Sequence, residues 1–548
     1  MDKGIKFDFW FICRIVIFVL FALFLMYPFI TLFSKSVIGS DGNFTLENFA
    51  TFFQYEYYYS TLMRSLTVSV LTTVFAVIIG VPLAYAFSRY KIYGSKIINV
   101  MIIMSLMSPP FIGAYSWIML LGRNGVITKG LNVLGISFPS IYGFLGIILV
   151  FTLKLYPYIF LYVAGALNSI DSSLEEASEN LGASRLRRLF TVTFPVIKPT
   201  IFAGAIMVFM SSLADFGTPM LIGEGYKVLP VMVYEEYMSE TGGNAGMASA
   251  LSIIIVLCSL TVLLIQKFIV SRKNYTMSAL RPPSKKDLPK PKKIALSLLL
   301  CVFAFITFLP QVVVIVTSFI NTNGPVFTEG FGLESYKSIF FKLGHNIVNT
   351  FTFSTIAIFV IILLSVLIAF LITKRRGKSA TIMDILVMFP YVIPGAVLGI
   401  SLLITYNKGP ILIAGTPLIL IIAYIIRKMP YTVRSSSAIL QQIDSSVEEA
   451  SISLGETPMK SFFKVTVRIM MPGIVSGAIL SWISTINELS SSIMLYTGKT
   501  ATISVAIYTE VVRASFGTAA ALASILTVAT LLSFVLFNII SKGKVSVV

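Results

Sequence analysis

The chain has 548 residues, of which 56% are hydrophobic and only 12% charged, and its formal net charge is +18. Soluble globular proteins carry about 25% charged residues, so this composition excludes an ordinary soluble domain and indicates an integral membrane protein. The single histidine, His345, argues against a His-rich zinc site or a serine-protease-like triad. Three cysteines lie far apart in or beside apolar runs, which predicts packing residues and no disulfide framework.

Twelve apolar stretches are predicted to cross the bilayer as helices, each needing about 20 residues. The first is too long for a signal-peptide core and lacks a small-residue cleavage site, so we interpret it as an uncleaved span. The predicted spans are 11–33, 62–87, 97–121, 141–167, 194–222, 247–270, 294–319, 347–372, 380–405, 416–437, 469–495 and 517–541. The predicted fold class is therefore an all-α integral membrane protein.

Clusters of Lys and Arg follow every even-numbered span, as in Arg185, Arg187 and Arg188 after the fourth. Cytoplasmic loops of membrane proteins are enriched in these residues. A single topology, with both chain ends in the cytoplasm, therefore places all the clusters on one side. This accounts for the positive charge without nucleic acid, and we expect no nucleic-acid partner.

A polar, acidic loop, residues 170–190, follows the fourth span and begins IDSSLEEASENLG. Ser172 and Glu175 have the spacing of a capping box, and Gly182 is placed to end the helix. Apolar residues at i, i+3 and i+7 give the helix one apolar face. Such a helix either lies in the lipid interface or docks into a protein groove. Its leading glutamates favour the protein groove.

The loop occurs again at 443–463, which begins IDSSVEEASISLG, 273 residues later and identical at ten of thirteen positions. Ser445 and Glu448 repeat the predicted capping box, and Gly455 repeats the helix stop. Further matches predict two homologous six-span halves, 1–270 and 294–548, joined by a basic cytoplasmic linker, 271–293. Since six is even, the halves are parallel repeats related by an axis along the membrane normal. A symmetric pair of loops suits a soluble dimeric partner.

The loop sequences resemble the EAA signature of ABC importer permeases. The first match is Glu176–Gly182, then Val192, Phe194 and Pro195; the second is Glu449, Ala450, Ser451, Gly455, Val465 and Val467. The second copy departs from the signature at Arg468, where Pro is usual. The resemblance implies the type I ABC importer permease fold, with both loops as coupling helices seated on an ATPase. The implied coupling residues are Glu175, Glu176, Ala177, Ser178, Gly182, Glu448, Glu449, Ala450, Ser451 and Gly455.

The resemblance also implies partners and a location. We expect two copies of a cytoplasmic ABC ATPase, an extracytoplasmic solute-binding protein, and the bacterial inner membrane. The stretch TGKT, from Thr497, lacks the first glycine of a phosphate loop. ATP hydrolysis is therefore expected on a separate chain, and neither enzymatic activity nor a cofactor is expected here.

The fused two-half form most resembles the ferric-iron, thiamine and 2-aminoethylphosphonate group, and LADFGTPMLIG, from Leu213, resembles ferric-iron-type permeases. Ferric iron is therefore the expected substrate, with 2-aminoethylphosphonate, thiamine or another small solute as alternatives. A gradient-driven secondary transporter is an alternative of another class, although it would leave the charged loops without a role.

Asp215 lies inside the fifth predicted span, and Glu488 lies at the equivalent place in the eleventh. Ionisable residues inside a span are costly and commonly mark a substrate path. Carboxylate oxygens suit hard cations, Fe(III) among them, and no resident metal site is predicted. The alternative interpretation is that both carboxylates pair with polar neighbours as structural groups.

Overall fold

The computed structural model describes residues 9–39, 41–109, 111–136, 139–239, 243–271, 284–323, 326–375, 377–408 and 410–540. Within these residues the chain is almost entirely helical. The exception is an antiparallel hairpin of two short strands, Ile320–Asn323 and Val326–Phe331, which was not predicted from the sequence. Residues 272–283 of the predicted linker lie outside the described residues.

The chain forms two compact units. The first comprises the described residues within Met1–Gln54, Val233–Ile253 and Ser318–Val545, and the second those within Tyr55–Met232 and Ile254–Thr317. These units differ from the sequence halves, because the first long helix of each half packs in the unit formed mainly by the other half. The sequence repeat and the packing therefore divide the chain differently.

The first unit includes the N-terminal helical segment, whose Trp10 ring stacks on Phe370 with centroids 4.3 Å apart. Tyr406 Oη also donates a hydrogen bond of 2.7 Å to the carbonyl of Leu23. The helical segments of this unit are Phe9–Phe21, Ala22–Met26 (π), Tyr27–Val37, Glu47–Gln54, Glu334–Lys342, Gly344–Thr373, Lys378–Val392, Gly395–Tyr406, Pro417–Gln442, Ser445–Ser453, Pro458–Ser461, Phe462–Thr466 (π), Val467–Ile486, Ser492–Leu495, Ile503–Val512 and Phe516–Ile540.

The second unit includes the helix that opens the second sequence half. Its Gln311 side chain donates to the carbonyl of Met104 at 3.1 Å, and Ser116 Oγ donates to the carbonyl of Pro310 at 2.8 Å. The helical segments of this unit are Glu56–Arg89, Ser95–Leu106, Ile112–Leu121, Val126–Val133, Phe144–Ser169, Ser172–Asn180, Arg185–Arg188, Leu189–Thr193 (π), Phe194–Ala214, Gly217–Ile222 and Lys290–Ser318. Two helices, Leu229–Met238 and Ala245–Ser271, contribute residues to both units.

Each unit is built around equivalent close helix crossings. A Cβ atom on Gly204 would lie 3.2 Å from Cδ1 of Ile159, and one on Gly477 would lie 2.6 Å from Cα of Thr432. Both pairs are related by the 273-residue repeat. Small residues at such crossings let two backbones approach closely, which favours helix association in a membrane. The fourth and fifth predicted spans of each half therefore pack in the same way.

Nine helices in the described residues are long and apolar enough to cross a membrane, or ten when a bent pair is counted as one span. This differs from the predicted twelve. The predicted third span is two short helices, Ser95–Leu106 and Ile112–Leu121, separated by a break that contains Pro109. The predicted tenth is the 26-residue helix Pro417–Gln442, whose three cationic side chains lower its apolar character.

Three other predicted spans are interrupted. The ninth bends by 106° between Lys378–Val392 and Gly395–Tyr406. In the fifth and eleventh predicted spans, the long helix ends at Ala214 and at Ile486, and a short helix follows each break. In membranes, irregular backbone is tolerated where it is buried in protein or lines a cavity. The breaks in the fifth and eleventh predicted spans occur at Asp215 and Asn487.

Candidate functional site

The two loop helices begin at an aspartate. Asp171 is the N-cap of Ser172–Asn180, and its side chain accepts a hydrogen bond of 2.9 Å from the backbone N–H of Ser173. Asp444 caps Ser445–Ser453 in the same way, through the N–H of Ser446 at 2.9 Å. The predicted capping boxes, Ser172 with Glu175 and Ser445 with Glu448, are therefore wrong. Aspartate and serine are comparable N-caps, and here the aspartate lies one residue earlier.

Glu175 does not cap the first loop helix. It joins this helix to Arg89 and Thr193. Its carboxylate accepts a hydrogen bond of 2.5 Å from Arg89 Nη2 and one of 3.0 Å from Thr193 Oγ1. The Arg89 side chain is only 8% exposed and that of Glu175 is 29% exposed. A second ion pair joins Arg188 to Glu179. The Arg89 pair is charge-assisted and partly buried, and it fixes the loop helix on the last residue of helix Glu56–Arg89.

The described part of the predicted linker that starts at residue 284 contacts the end of helix Glu56–Arg89. The N–H of Lys286 donates to the Arg89 carbonyl at 2.9 Å, and the N–H of Lys91 donates to the Lys286 carbonyl at 3.1 Å. Asp287 accepts a hydrogen bond of 2.9 Å from Lys293, which holds the pKa of the Asp287 carboxyl below its usual value. A cavity of about 250 Å³ separates this segment from the first loop helix.

The second loop helix is flanked by two contacts within the described residues. Lys374 Nζ donates to the carbonyl of Ile443 at 2.9 Å, immediately before the helix begins. Beyond the helix, Lys464 donates to Glu456 at 2.7 Å and holds the pKa of that carboxyl below its usual value. The two helices are therefore alike in capping and length, and within the described residues the contacts of the second one involve Lys374 and Lys464.

Both helices end at the glycine that the sequence indicated. Gly182 has φ +80° and Gly455 has φ +96°. Residues other than glycine rarely adopt this region of backbone conformation. The N–H of Ala183 donates to the carbonyl of Ser178 at 3.1 Å, so the chain turns sharply. This is the hydrogen-bonded glycine turn common after helices.

The matched surfaces of the two helices are exposed. Leu181 and Leu454 are each 88% exposed, although both are large and apolar. Exposed with them are Glu176, Ala177, Gly182, Glu449, Ala450 and Gly455, while Glu175, Ser178, Glu448 and Ser451 are half-buried. Apolar residues beside acidic ones on a short exposed helix are typical of a surface that docks into a protein groove.

Asp215 lies at the break of the fifth predicted span. Its Oδ2 accepts a hydrogen bond of 3.0 Å from Lys154 Nζ, and its Oδ1 accepts one of 2.9 Å from the N–H of Thr218. The carboxylate therefore pairs with a cation and caps the short helix Gly217–Ile222. The side chains of Lys154 and Asp215 are 21% and 19% exposed, so the pair is neither fully buried nor freely solvated.

Glu488 repeats this arrangement in the other unit. It pairs with Arg427 and Lys428, and its Oε1 accepts hydrogen bonds of 3.1 Å from both the N–H and the Oγ of Ser491. The short helix Ser492–Leu495 follows. The Glu488 side chain is only 5% exposed. A carboxylate at a helix break, paired with cations of the preceding span, is therefore common to both halves.

The cationic partners of these carboxylates were not predicted from the sequence. The 273-residue offset relates Lys154 to Arg427, and the same rule that singled out Asp215 and Glu488 applies to any ionisable residue in a span. The halves differ at the next position, where the first has Leu155 and the second has Lys428. Within the described residues, no group of three or more His, Cys, Asp or Glu side chains could hold a metal ion.

Arg427 also closely contacts the bend of the predicted ninth span. A Cβ atom on Gly395 would lie 1.9 Å from Nη1 of Arg427 and 2.6 Å from Cβ of Ser490. Only glycine leaves room for the guanidinium there. The bend, the fourth span of the second half and the break at Glu488 therefore meet at one charged cluster.

Comparison with known proteins identifies relatives over most of the chain. The family described as binding-protein-dependent transport system inner membrane component matches residues 76–275 and 361–545, once in each half. The chain is 26% identical to the ferric transport system permease protein FbpB of Actinobacillus pleuropneumoniae, covering 98% of this chain and 78% of that protein. It is also 26% identical to a putative ferric transport system permease protein FbpB 1 of Haemophilus influenzae, covering 87% of this chain and 76% of the relative.

A shorter relative matches only part of the chain. The molybdenum transport system permease protein ModB of Haemophilus influenzae is 29% identical over 219 residues, which cover 39% of this chain and 93% of that protein. The paired match of the family to residues 76–275 and 361–545 confirms the predicted fused form, and the helical structure agrees with the predicted all-α membrane fold. The chain belongs to the binding-protein-dependent transport system inner membrane components, and it is a multi-pass permease of an ABC importer.

Proposed function

We propose that this permease supplies both halves of a path for ferric iron across the bacterial inner membrane. Two copies of a cytoplasmic ATPase bind its two loop helices, and an extracytoplasmic binding protein delivers the substrate. Both chain ends lie in the cytoplasm, consistent with the basic clusters after the even-numbered spans. ATP is hydrolysed on the ATPase chains, and the permease contributes no catalytic residue.

The observation that carries the coupling role is the matched surface of the two loop helices. Each helix has nine residues, an aspartate N-cap and a glycine turn, and each exposes 88% of an equivalent leucine. Two copies of one soluble protein can recognise such a pair with the same groove. Glu176 and Glu449 supply polar contacts, while Leu181 and Leu454 enter the apolar part of the groove.

The proposal of ferric iron as substrate is supported by similarity. Two relatives that cover most of this chain are named as ferric transport system permeases. In this proposal the clusters at Asp215 and Glu488 line the translocation path, because ionisable groups inside membrane spans face protein interior or water-filled cavities. Rocking of parallel repeats alternates access to such a path.

Co-purification with the ATPase tests the coupling role. We expect the double variant Leu181→Asp with Leu454→Asp to lose ATPase association while still inserting into the membrane, because two carboxylates would enter an apolar groove. Val133 is 87% exposed on another helix and provides a matched control, so Val133→Asp should retain the ATPase.

The same preparation separates this proposal from a gradient-driven transporter. Iron uptake that continues after loss of the ATPase, and that collapses when the ion gradient is removed, would contradict an ATP-driven importer. Uptake that requires both the ATPase and the binding protein would support it.

A further inference from the structure

We propose that iron crosses this permease as an anionic complex, bound to a small oxyanion such as a carboxylate or phosphate compound, and not as a bare Fe(III) cation. This inference rests on the proposed ferric function and specifies the chemical form of its substrate. It follows from the charges that surround the two helix breaks.

Neither carboxylate is available as a simple cation ligand. Asp215 already accepts a hydrogen bond from Lys154 at 3.0 Å and one from the Thr218 N–H at 2.9 Å. Glu488 is paired with Arg427 and Lys428. A metal ion could use either carboxylate only by displacing these cations, and the displaced cations would then lie beside it.

The balance of charge is positive in the second-half cluster. Lys154 and Asp215 neutralise each other, whereas Arg427 and Lys428 face a single carboxylate, Glu488. The Lys428 and Glu488 side chains are only 7% and 5% exposed, so bulk water screens them weakly. A trivalent cation at this place would be repelled by the surplus charge, and an anion would be attracted.

The surplus comes from one position that distinguishes the halves. Lys428 stands where the repeat places Leu155, while Arg427 and Glu488 correspond to Lys154 and Asp215. The Arg427 side chain remains 18% exposed, so it is less buried than the Lys428 and Glu488 side chains, at 7% and 5%. Guanidinium groups bind carboxylate and phosphate oxygens through paired hydrogen bonds. The geometry therefore suits an oxyanion better than a metal ion.

The charge moved per iron tests this proposal whichever oxyanion accompanies the metal. The complete importer is reconstituted in vesicles with the binding protein outside and ATP inside, and ⁵⁵Fe uptake is measured together with a voltage-sensitive dye. Bare Fe(III) would carry about three positive charges per iron inward and make the interior positive. We expect net negative charge per iron, which makes the interior negative. A charge of zero or above, up to the three positive charges of bare Fe(III), would overturn the proposal while leaving ferric transport in place.

Labelled citrate and labelled phosphate distinguish the sources of the oxyanion. Entry of either label together with iron supports the proposal and identifies the compound class. Entry of label without iron would support an anionic substrate and contradict ferric transport.

Lys428→Leu tests the role of the surplus charge, because it gives the second half the leucine that the first half has at the equivalent buried position, Leu155. We expect iron uptake to fall by about tenfold or more with insertion and ATPase assembly unchanged, because the variant removes the surplus charge and leaves Arg427 and Glu488 as a neutral pair. Arg513 is 69% exposed and pairs with Glu510, so Arg513→Gln is the control that should transport normally. Unchanged uptake by Lys428→Leu would contradict a role for the surplus charge.

Discussion

Arg89 Nη2 lies 2.5 Å from the Glu175 carboxylate, and this ion pair joins the predicted second span to the first loop helix. The guanidinium is nearly buried, with only 8% of the side chain exposed. Loss of the partner would leave a buried charge, which is more costly than loss of an exposed pair. We therefore interpret the contact as one that holds the loop helix in position.

We expect Glu175→Gln to weaken the docking of helix Ser172–Asn180. Hydrogen bonds to charged groups contribute about 1.5–3 kcal/mol, and the lower end applies because Glu175 is partly exposed. Hydrogen exchange of residues 172–180 measures the local opening free energy. The exposed pair Lys337–Glu334 is the control, since Glu334→Gln should change stability by less than about 1 kcal/mol. Equal effects of the two variants would contradict the positioning role.

The aspartate N-caps predict a pH dependence. The hydrogen bond from the Ser446 backbone N–H holds the pKa of the Asp444 carboxyl below its usual value. A carboxyl with a lowered folded-state pKa stabilises the helix at neutral pH, and that contribution disappears as the pH falls through the lowered pKa. We expect Asp444→Ala to destabilise the helix at neutral pH and to have a smaller effect in acid.

Asparagine separates capping from ionisation at the same position. Asp444→Asn should retain most of the capping because asparagine is a comparable N-cap, and it should remove this titration. Hydrogen exchange of residues 446–453 across the acid range checks both variants. A cap contribution from wild-type Asp444 that does not change with pH would contradict the ionised cap.

Gly395 provides a steric test of the second-half cluster. Because a Cβ atom there would lie 1.9 Å from Arg427 Nη1, we expect Gly395→Ala to displace the guanidinium and lower transport. Gly130, on an exposed helix, has no atom within 4 Å of an added Cβ. Gly130→Ala should therefore be tolerated, with helix stability raised by about 0.5–1 kcal/mol. Normal uptake by Gly395→Ala would show that the Arg427 position is unimportant.

The Lys154–Asp215 pair allows structural and transport roles to be separated. Asp215→Asn leaves Lys154 without its charged partner in a partly buried place, so we expect reduced membrane insertion and reduced uptake. Adding Lys154→Gln should restore insertion because the unpaired charge is removed. Uptake should remain low if the charges line the path. Restoration of both insertion and uptake by the double variant would assign the pair a purely structural role.

Sequence periodicity and composition predicted the helical membrane fold and the repeat because both depend on many residues at once. The matched loops were found because ten of thirteen residues are identical. The capping boxes were predicted incorrectly because Asp171 competes with Ser172 as N-cap, and a sequence alone does not show which oxygen reaches the N–H. The partner of Glu175, Arg89, lies 86 residues away and has no local signal.

The charged clusters show the same limit. Asp215 and Glu488 stood out as carboxylates inside spans, but their partners lie 61 residues earlier in both cases. The helix breaks that place them together were also not predicted, because the apolar composition continues across Asp215 and Glu488. The packing of each half's first helix in the other compact unit is likewise a long-range feature without a sequence periodicity of its own.

Labelling of single cysteines at Ser178 and Ser451 tests whether two equivalent helices on the cytoplasmic side receive force from a separate ATPase. Each cysteine is introduced after Cys13, Cys258 and Cys301 are replaced by serine, and a membrane-impermeant maleimide is applied from either side. We predict that both positions react only from the cytoplasm and that both become protected when the ATPase assembles. Labelling of one position from the outside, or of both with no protection by the ATPase, would contradict the proposed coupling.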